Sequence, residues 1–171
     1  EIQVVHNCTP NNLHKEINEK IIRAGKHIFS EKPLAMTSEE CSQLLQLLAE
    51  HTEVIHGVNF VYRMNAVVQE MKQRVRKGEI GKPTLVYGAY LQDWLLYETD
   101  YNWRIEPEVC GRSRCIADIG THWMDTVQTI IGAKITEVCA NLVTVLPIRK
   151  KPKVPVETFL DNRQDIEYEE R

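Results

Sequence analysis

Residues 4–35 read VVHNCTPNNLHKEINEKIIRAGKHIFSEKPLA, and this stretch decides the fold. Ile2 to His6 is a short apolar run with strand character. Pro10 stands where a helix can begin, because the first turn has no use for its missing N–H. Leu13, Ile17, Ile21 and Ile22 then recur at helical spacing, and Gly25 is a natural stop. Lys26 to Ser30 forms a second strand, ended by Pro33. Thr37 and Glu40 make a capping box for a helix whose apolar face is read as Leu44, Leu45 and Leu48. Glu53 to Val58 is a third strand. Strand–helix–strand–helix–strand at this spacing predicts a parallel sheet with right-handed crossovers. Such sheets bind ligands outside the carboxyl ends of their strands. Thr9-Pro10-Asn11, Glu31-Lys32-Pro33 and the residues from Asn59 onward are therefore the segments to watch.

Beyond Asn59 the rhythm changes. Asn65 to Lys77 reads as a helix with Val67, Val68, Met71 and Val75 inward, closed by Gly78 and Gly81. Alternation in TLVYGAYLQDW predicts a strand from Pro83 to Trp94. Residues 95–114 read as irregular. A helix is expected from Cys115 to Ile131, stopped by Gly132, and a further strand from Ile135 to Val145. The tail from Pro147 reads as a solvated loop or a strand awaiting a partner, with Arg149-Lys150-Lys151-Pro152-Lys153 as a solvated turn. Two units are expected, residues 1–58 and 59–171. The first is a parallel α/β sheet, the second an α+β arrangement.

The chain has 171 residues, 21 Lys+Arg and 24 Asp+Glu, giving a formal net charge of −3. This balance argues against a protein held to nucleic acid by bulk charge. Hydrophobic residues make up 43% and charged residues 26%, which argues against a largely disordered chain. No apolar run approaches the ~20 residues of a membrane span, so a cytoplasmic protein without membrane contact is expected. Glu1 opens a strand already in progress, so the sequence is expected to be a piece of something longer. The five cysteines read as free thiols. Cys110 and Cys115 with His122 do not match a four-ligand zinc template, so no metal is expected.

Three clusters can carry chemistry. In Asp118-Ile119-Gly120-Thr121-His122, a helix would set Asp118 and His122 at i and i+4, with Cβ atoms ~6 Å apart. Such a carboxylate orients an imidazole for proton transfer near neutral pH. A surface pair or helix cap is the plain alternative. Gly120 within a helix costs about 1 kcal/mol relative to Ala, which suggests a close approach to the backbone. In Glu31-Lys32-Pro33, a lysine fixed at a strand end is a positioned ammonium able to stabilise a developing alkoxide; an ordinary solvated lysine is the alternative. Thr9, Pro10, Asn11 and His14 place polar groups where a helix begins, facing a nucleotide or simply capping. Trp94, Tyr97, Tyr101 and Trp103, with Arg104, wall a polar ligand or pack as core or interface.

In this order, VVHNCTPNNLHKEINEKIIRAGKHIFSEKPLA, GVNFVYRMNAVVQEMKQRVRKGEIGKPTLVYGAY, NWR and ADIGTHWMDTVQTIIGA resemble the glucose–fructose oxidoreductase/inositol dehydrogenase (Gfo/Idh/MocA) family over about residues 2–145. The resemblance implies the second half of a Rossmann-type domain, followed by the start of an α+β domain with a largely antiparallel sheet. It implies an NAD- or NADP-dependent oxidoreductase acting on a secondary alcohol of a sugar, cyclitol or related polyol, self-associating through the second sheet. Carried over, Lys32, Asp118 and His122 are catalytic. Thr9, Pro10, Asn11, His14, Glu31 and Lys32 line the cofactor. Arg63, Trp103, Arg104, Asp118 and His122 face the substrate. A cis bond before Pro33 is also implied.

Two departures matter. None of the eight glycines fits G-x-G-x-x-G, so these residues by themselves are expected to bind a dinucleotide poorly. Gly111-Arg112-Ser113-Arg114-Cys115 stands where many relatives carry a glycine run, and its two arginines can grip an anionic or highly hydroxylated substrate. The rival reading is a non-catalytic binding or oligomerisation module that retains the fold.

Overall fold

The apolar residues of the opening segment build one side of a parallel sheet. In a computed structural model, which describes residues 1–155 and 167–170, β1 (Val4–Asn7), β2 (His27–Glu31) and β3 (His56–Asn59) pair in the order β1-β2-β3, all parallel. His6 lies opposite Phe29, and Glu31 opposite Asn59. Each strand runs one or more residues further than its apolar stretch suggests, because Asn7, Glu31 and Asn59 extend the ladder with polar side chains.

Helices α1 (His14–Arg23) and α2 (Ser38–Glu50) cover one sheet face. Ile21, Ile22, Ile28, Leu44, Leu47 and Val54 form the core between them. Leu47 and Leu48, not Leu45, complete the α2 face; Leu45 points to solvent because i, i+3, i+4 is the stripe a helix presents. Thr37 caps α2 by accepting from the Glu40 amide at 3.1 Å, and the Glu40 carboxylate accepts from the Met36 amide at 2.8 Å. The other sheet face, with Val4 and Phe29, is exposed.

A 3-10 turn at Val61–Met64 leads into α3 (Ala66–Arg76), capped by Asn65. Val68 and Val75 are half-buried, whereas Val67 and Met71 are exposed. Within the stretch expected to be irregular lie a 3-10 turn at Trp103–Ile105 and the short α4 (Pro107–Cys110). The expected helix from Cys115 begins instead as a π turn, Ile116–Gly120, and continues as α5 (Thr121–Ile131), closed by Gly132 at φ 70°.

The expected strands at 83–94 and 135–145 form no ladder among the described residues. Alternation supplies the side-chain pattern of a strand, but a strand also needs a hydrogen-bonded neighbour. The first of them nevertheless packs on α5: a Cβ on Gly88 would stand 3.0 Å from Trp123 Nε1. The basic run is not a simple solvated turn. Lys150–Pro152 forms β4, antiparallel to β5 (Tyr168–Glu170), and the Arg149 guanidinium donates to the carbonyls of Leu95, Tyr97 and Asp100. The rest of the charged tail, 156–166 and 171, lies outside the described residues.

Candidate active site

The carboxyl end of β2 delivers Lys32 to the start of the α5 helix. The Lys32–Pro33 bond is cis. Lys32 Nζ donates to the Asp118 carbonyl at 2.5 Å and to Asp118 Oδ1 at 3.1 Å, and both side chains are mostly buried. Arg104, stacked on Trp103 at 4.4 Å, brings its Nε to 3.7 Å from the same carboxylate oxygen. Asn102 holds that arginine's turn by accepting from the Arg104 amide.

His122 follows four residues after Asp118, yet the expected carboxylate–imidazole bond is not formed. Across the π turn the backbone bonds reach one residue further than in an α-helix, which takes the i, i+4 positions out of register, and Asp118 turns to Lys32. His122 Nδ1 is buried and has no hydrogen-bond partner among the described residues. The ring stands instead among aromatics, edge-on to Tyr62 at 4.9 Å, Phe60 at 6.2 Å and Tyr90 at 6.3 Å. Burial lowers its pKa below the ordinary 6.5, and the Lys32 charge adds to that; Asp118, Asp125 and Glu31 oppose it. The imidazole is thus held neutral and able to accept a proton.

Phe60, Tyr62 and Tyr90 were not among the residues picked from sequence. Tyr62 and Tyr90 share a hydroxyl–hydroxyl bond of 2.5 Å, which, with burial, raises the Tyr62 pKa. Three aromatic letters scattered over 30 positions carry no signal until the chain folds. A Cβ on Gly120 would meet the Ile116 side chain of the same turn at 3.4 Å.

The segment after β1 is tied down from within. The His14 ring is fully buried, with Nδ1 2.6 Å from the Pro33 carbonyl oxygen and Nε2 2.7 Å from that of Thr9. Thr9 Oγ1 donates to Asn7 Oδ1, and Asn7 Nδ2 donates to Asn18. Asn11 is buried and donates to Cys110, both Sγ and carbonyl. Burial pushes the Cys110 thiol up, so it stays protonated. Pro10 is half-buried at the mouth of α1. Glu31 accepts from Asn59 at 2.7 Å and lies 3.2 Å from His6 Nε2. His6, Cys8 and Glu31 bring one ligand-type atom each within 4.8 Å of one another, a grouping distinct from the Cys110–Cys115–His122 set weighed from sequence. Arg63 grips both oxygens of the buried Asp125 through Nε and Nη2. A cavity of about 760 Å³ opens beside Asp118, with Trp94, Tyr101, Arg104, Arg114 and Arg149 on its wall; neither Lys32 nor His122 lines it. No helix among the described residues is long and apolar enough to cross a membrane.

A parallel sheet with polar groups at the carboxyl ends of its strands, and a Lys32–Asp118 pair leading into the helix that carries His122, defines an α/β protein of the Rossmann-like class. Residues 1–60 match the oxidoreductase family with an NAD-binding Rossmann fold, and residues 68–161 match the Gfo/Idh/MocA C-terminal domain. The chain belongs to the Gfo/Idh/MocA family. It is 37% identical over 150 residues to levoglucosan dehydrogenase of Pseudarthrobacter phenanthrenivorans, covering 87% of this chain and 38% of that one. It is 30% identical over 140 residues to scyllo-inositol 2-dehydrogenase (NAD(+)) of Bacillus subtilis, covering 82% and 38% respectively. The solved structure of levoglucosan dehydrogenase in complex with NADH and levoglucosan superposes with a TM-score of 0.72 at 36% identity, over 77% of this chain and 35% of that one. The chain thus spans well under half the length of the relatives it matches.

Proposed function

We propose that the protein to which these residues belong is an NAD(P)-dependent oxidoreductase acting on a secondary alcohol of a sugar, cyclitol or related polyol. The observation that carries this reading is the His122 imidazole, whose buried Nδ1 has no partner among the described residues, standing beside the Lys32–Asp118 pair. A neutral imidazole with an unused nitrogen fits a substrate hydroxyl, and Lys32 is near enough to lower its proton affinity. The nicotinamide cofactor, when bound, supplies the redox chemistry itself.

The residues present fit the nicotinamide end of such a cofactor. Thr9, Pro10, Glu31 and Lys32 stand at the carboxyl ends of adjacent parallel strands, where open α/β sheets take their ligands. His14 and Asn11 act from beneath, setting the course of that segment. No glycine-rich phosphate fingerprint occurs in the 171 residues, so this reading assigns them the nicotinamide end of the cofactor and not the pyrophosphate. The unit boundary near residue 58 belongs to this same reading.

In the oxidative direction, the neutral His122 imidazole takes the proton of the reacting hydroxyl. Lys32 donates to that oxygen as negative charge grows on it, and Asp118 holds the ammonium in place. Arg104 and the adjoining cavity receive the remaining hydroxyls of the ring, with Trp103 backing the guanidinium. General-base help of this kind is typically worth about 10²–10⁴-fold.

The test uses the complete gene product. NAD(H) and NADP(H) binding is measured by calorimetry, followed by turnover with a panel of sugars and inositols. Lys32→Ala and His122→Ala are expected to lower kcat by about 10²-fold or more. A protein that binds neither nucleotide would overturn the assignment in favour of a binding module, whereas normal turnover of His122→Ala would take the base role from His122.

A further inference from the structure

The sequence offers Arg63 as a substrate contact, but the structure gives its guanidinium another partner. Arg63 lies in the turn after β3, in the same five residues that supply Phe60 and Tyr62. Its Nε and Nη2 bind both oxygens of Asp125, which is buried on α5 one turn beyond His122. The guanidinium also covers the Phe60 ring at 5.4 Å, and Phe60 and Tyr62 stand edge-on to the imidazole. Gln69 Nε2 donates to the Arg63 carbonyl, which anchors the same turn to α3. Two forked donors meeting one carboxylate fix direction as well as distance.

We propose that the Arg63–Asp125 pair is a positioning device: it clamps the Phe60–Tyr62 wall onto α5 and so fixes the orientation and water-excluded surroundings of the His122 imidazole. The proposal rests on the reading of His122 as the base. The groups facing the ring are Lys32 and Glu31 from the end of β2, Asp118 from the π turn and Asp125 from α5. Tyr62 reaches it from the turn after β3 and Tyr90 from residues 83–94, while Arg63 meets the ring's neighbour Asp125. With the clamp released, water reaches the imidazole and the Asp125 charge is no longer neutralised. Both changes favour the protonated ring.

The experiment uses the complete protein with Arg63→Gln, Arg63→Lys and the double variant Arg63→Gln/Asp125→Asn. The last leaves no buried charge unpaired and guards against a variant that fails to fold. Two readouts are taken: kcat and KM across pH, and the His122 titration followed by NMR of histidine-labelled protein without cofactor. His122→Gln assigns the signal. Arg63→Gln is expected to lower kcat about tenfold with KM changed by less than about threefold, and to raise the His122 midpoint towards 6.5. The double variant should lose kcat similarly but raise the midpoint less, because the Asp125 charge is gone. Arg63→Lys should restore part of both, since an ammonium neutralises Asp125 without holding both oxygens. A KM rise with kcat and midpoint unchanged would make Arg63 a substrate contact and end the proposal, as would no change in either readout. A shifted midpoint alongside normal turnover of His122→Gln supports the clamp while removing the base role from His122.

Discussion

His122 decides the behaviour of this site because burial, more than any single charge, sets its proton affinity. Its pKa in the folded chain lies below 6.5, the value it regains on unfolding. Between those two values the unfolded chain binds more protons than the folded one. Stability therefore rises with pH across that window, and this contribution is lost as pH falls below 6.5 through the folded-state pKa. Thermal unfolding of the complete protein between pH 5 and 7 should show a steeper acid loss for wild type than for His122→Gln; equal slopes would contradict this. The same depression keeps the base neutral in the free protein, so the acid limb of kcat/KM is expected below pH 6.5, and a limb at or above that value would place the titrating group elsewhere. Lys32 and Asp118 stand in short motifs and so could be singled out from sequence, but their pairing with each other, rather than Asp118 with His122, could not. The aromatic surroundings of His122 were not legible, because Phe60, Tyr62 and Tyr90 come from separate segments.

Elements follow local rules wherever a single residue settles an orphan backbone group. Thr37 satisfies the Glu40 amide at the start of α2. Thr37→Ala should cost about 1 kcal/mol, seen as faster hydrogen exchange in the first turn of α2; unchanged exchange would mean the cap contributes nothing. The π turn at Ile116–Gly120 is a different case. Spacing alone put Asp118 and His122 on one α-helical face, and the wider turn separates their roles. Gly88 marks where the 83–94 segment closes on α5. Gly88→Val should force Trp123 aside and destabilise by about 1–3 kcal/mol, with a change in tryptophan fluorescence. Retention of both wild-type stability and the wild-type spectrum would show that this contact is loose.

Across the whole molecule, most apolar residues of 83–94 and 135–145, Tyr90 and Trp94 apart, are exposed; Tyr87, Leu91 and Val145 each expose more than four-fifths of their surface. Faces of this kind call for a covering surface, from the same protein or from a second copy. We propose that the complete protein self-associates through them. Sedimentation should find an oligomer, and Leu85→Asp/Leu91→Asp, two positions of the same alternation, should shift it towards monomer. A monomeric wild type would exclude this arrangement.

Over residues 1–58 the order of strands and helices was written in the sequence, as were helix-ending glycines such as Gly25 and Gly132. They depend on period, caps and glycine, all of which act within a few residues. Which charged groups meet was decided only by the tertiary fold. Lys32 reaches Asp118 across 86 positions and Arg63 reaches Asp125 across 62. Such pairings depend on how separately formed elements are oriented against one another, and a carboxylate binds whichever cation that orientation brings within reach.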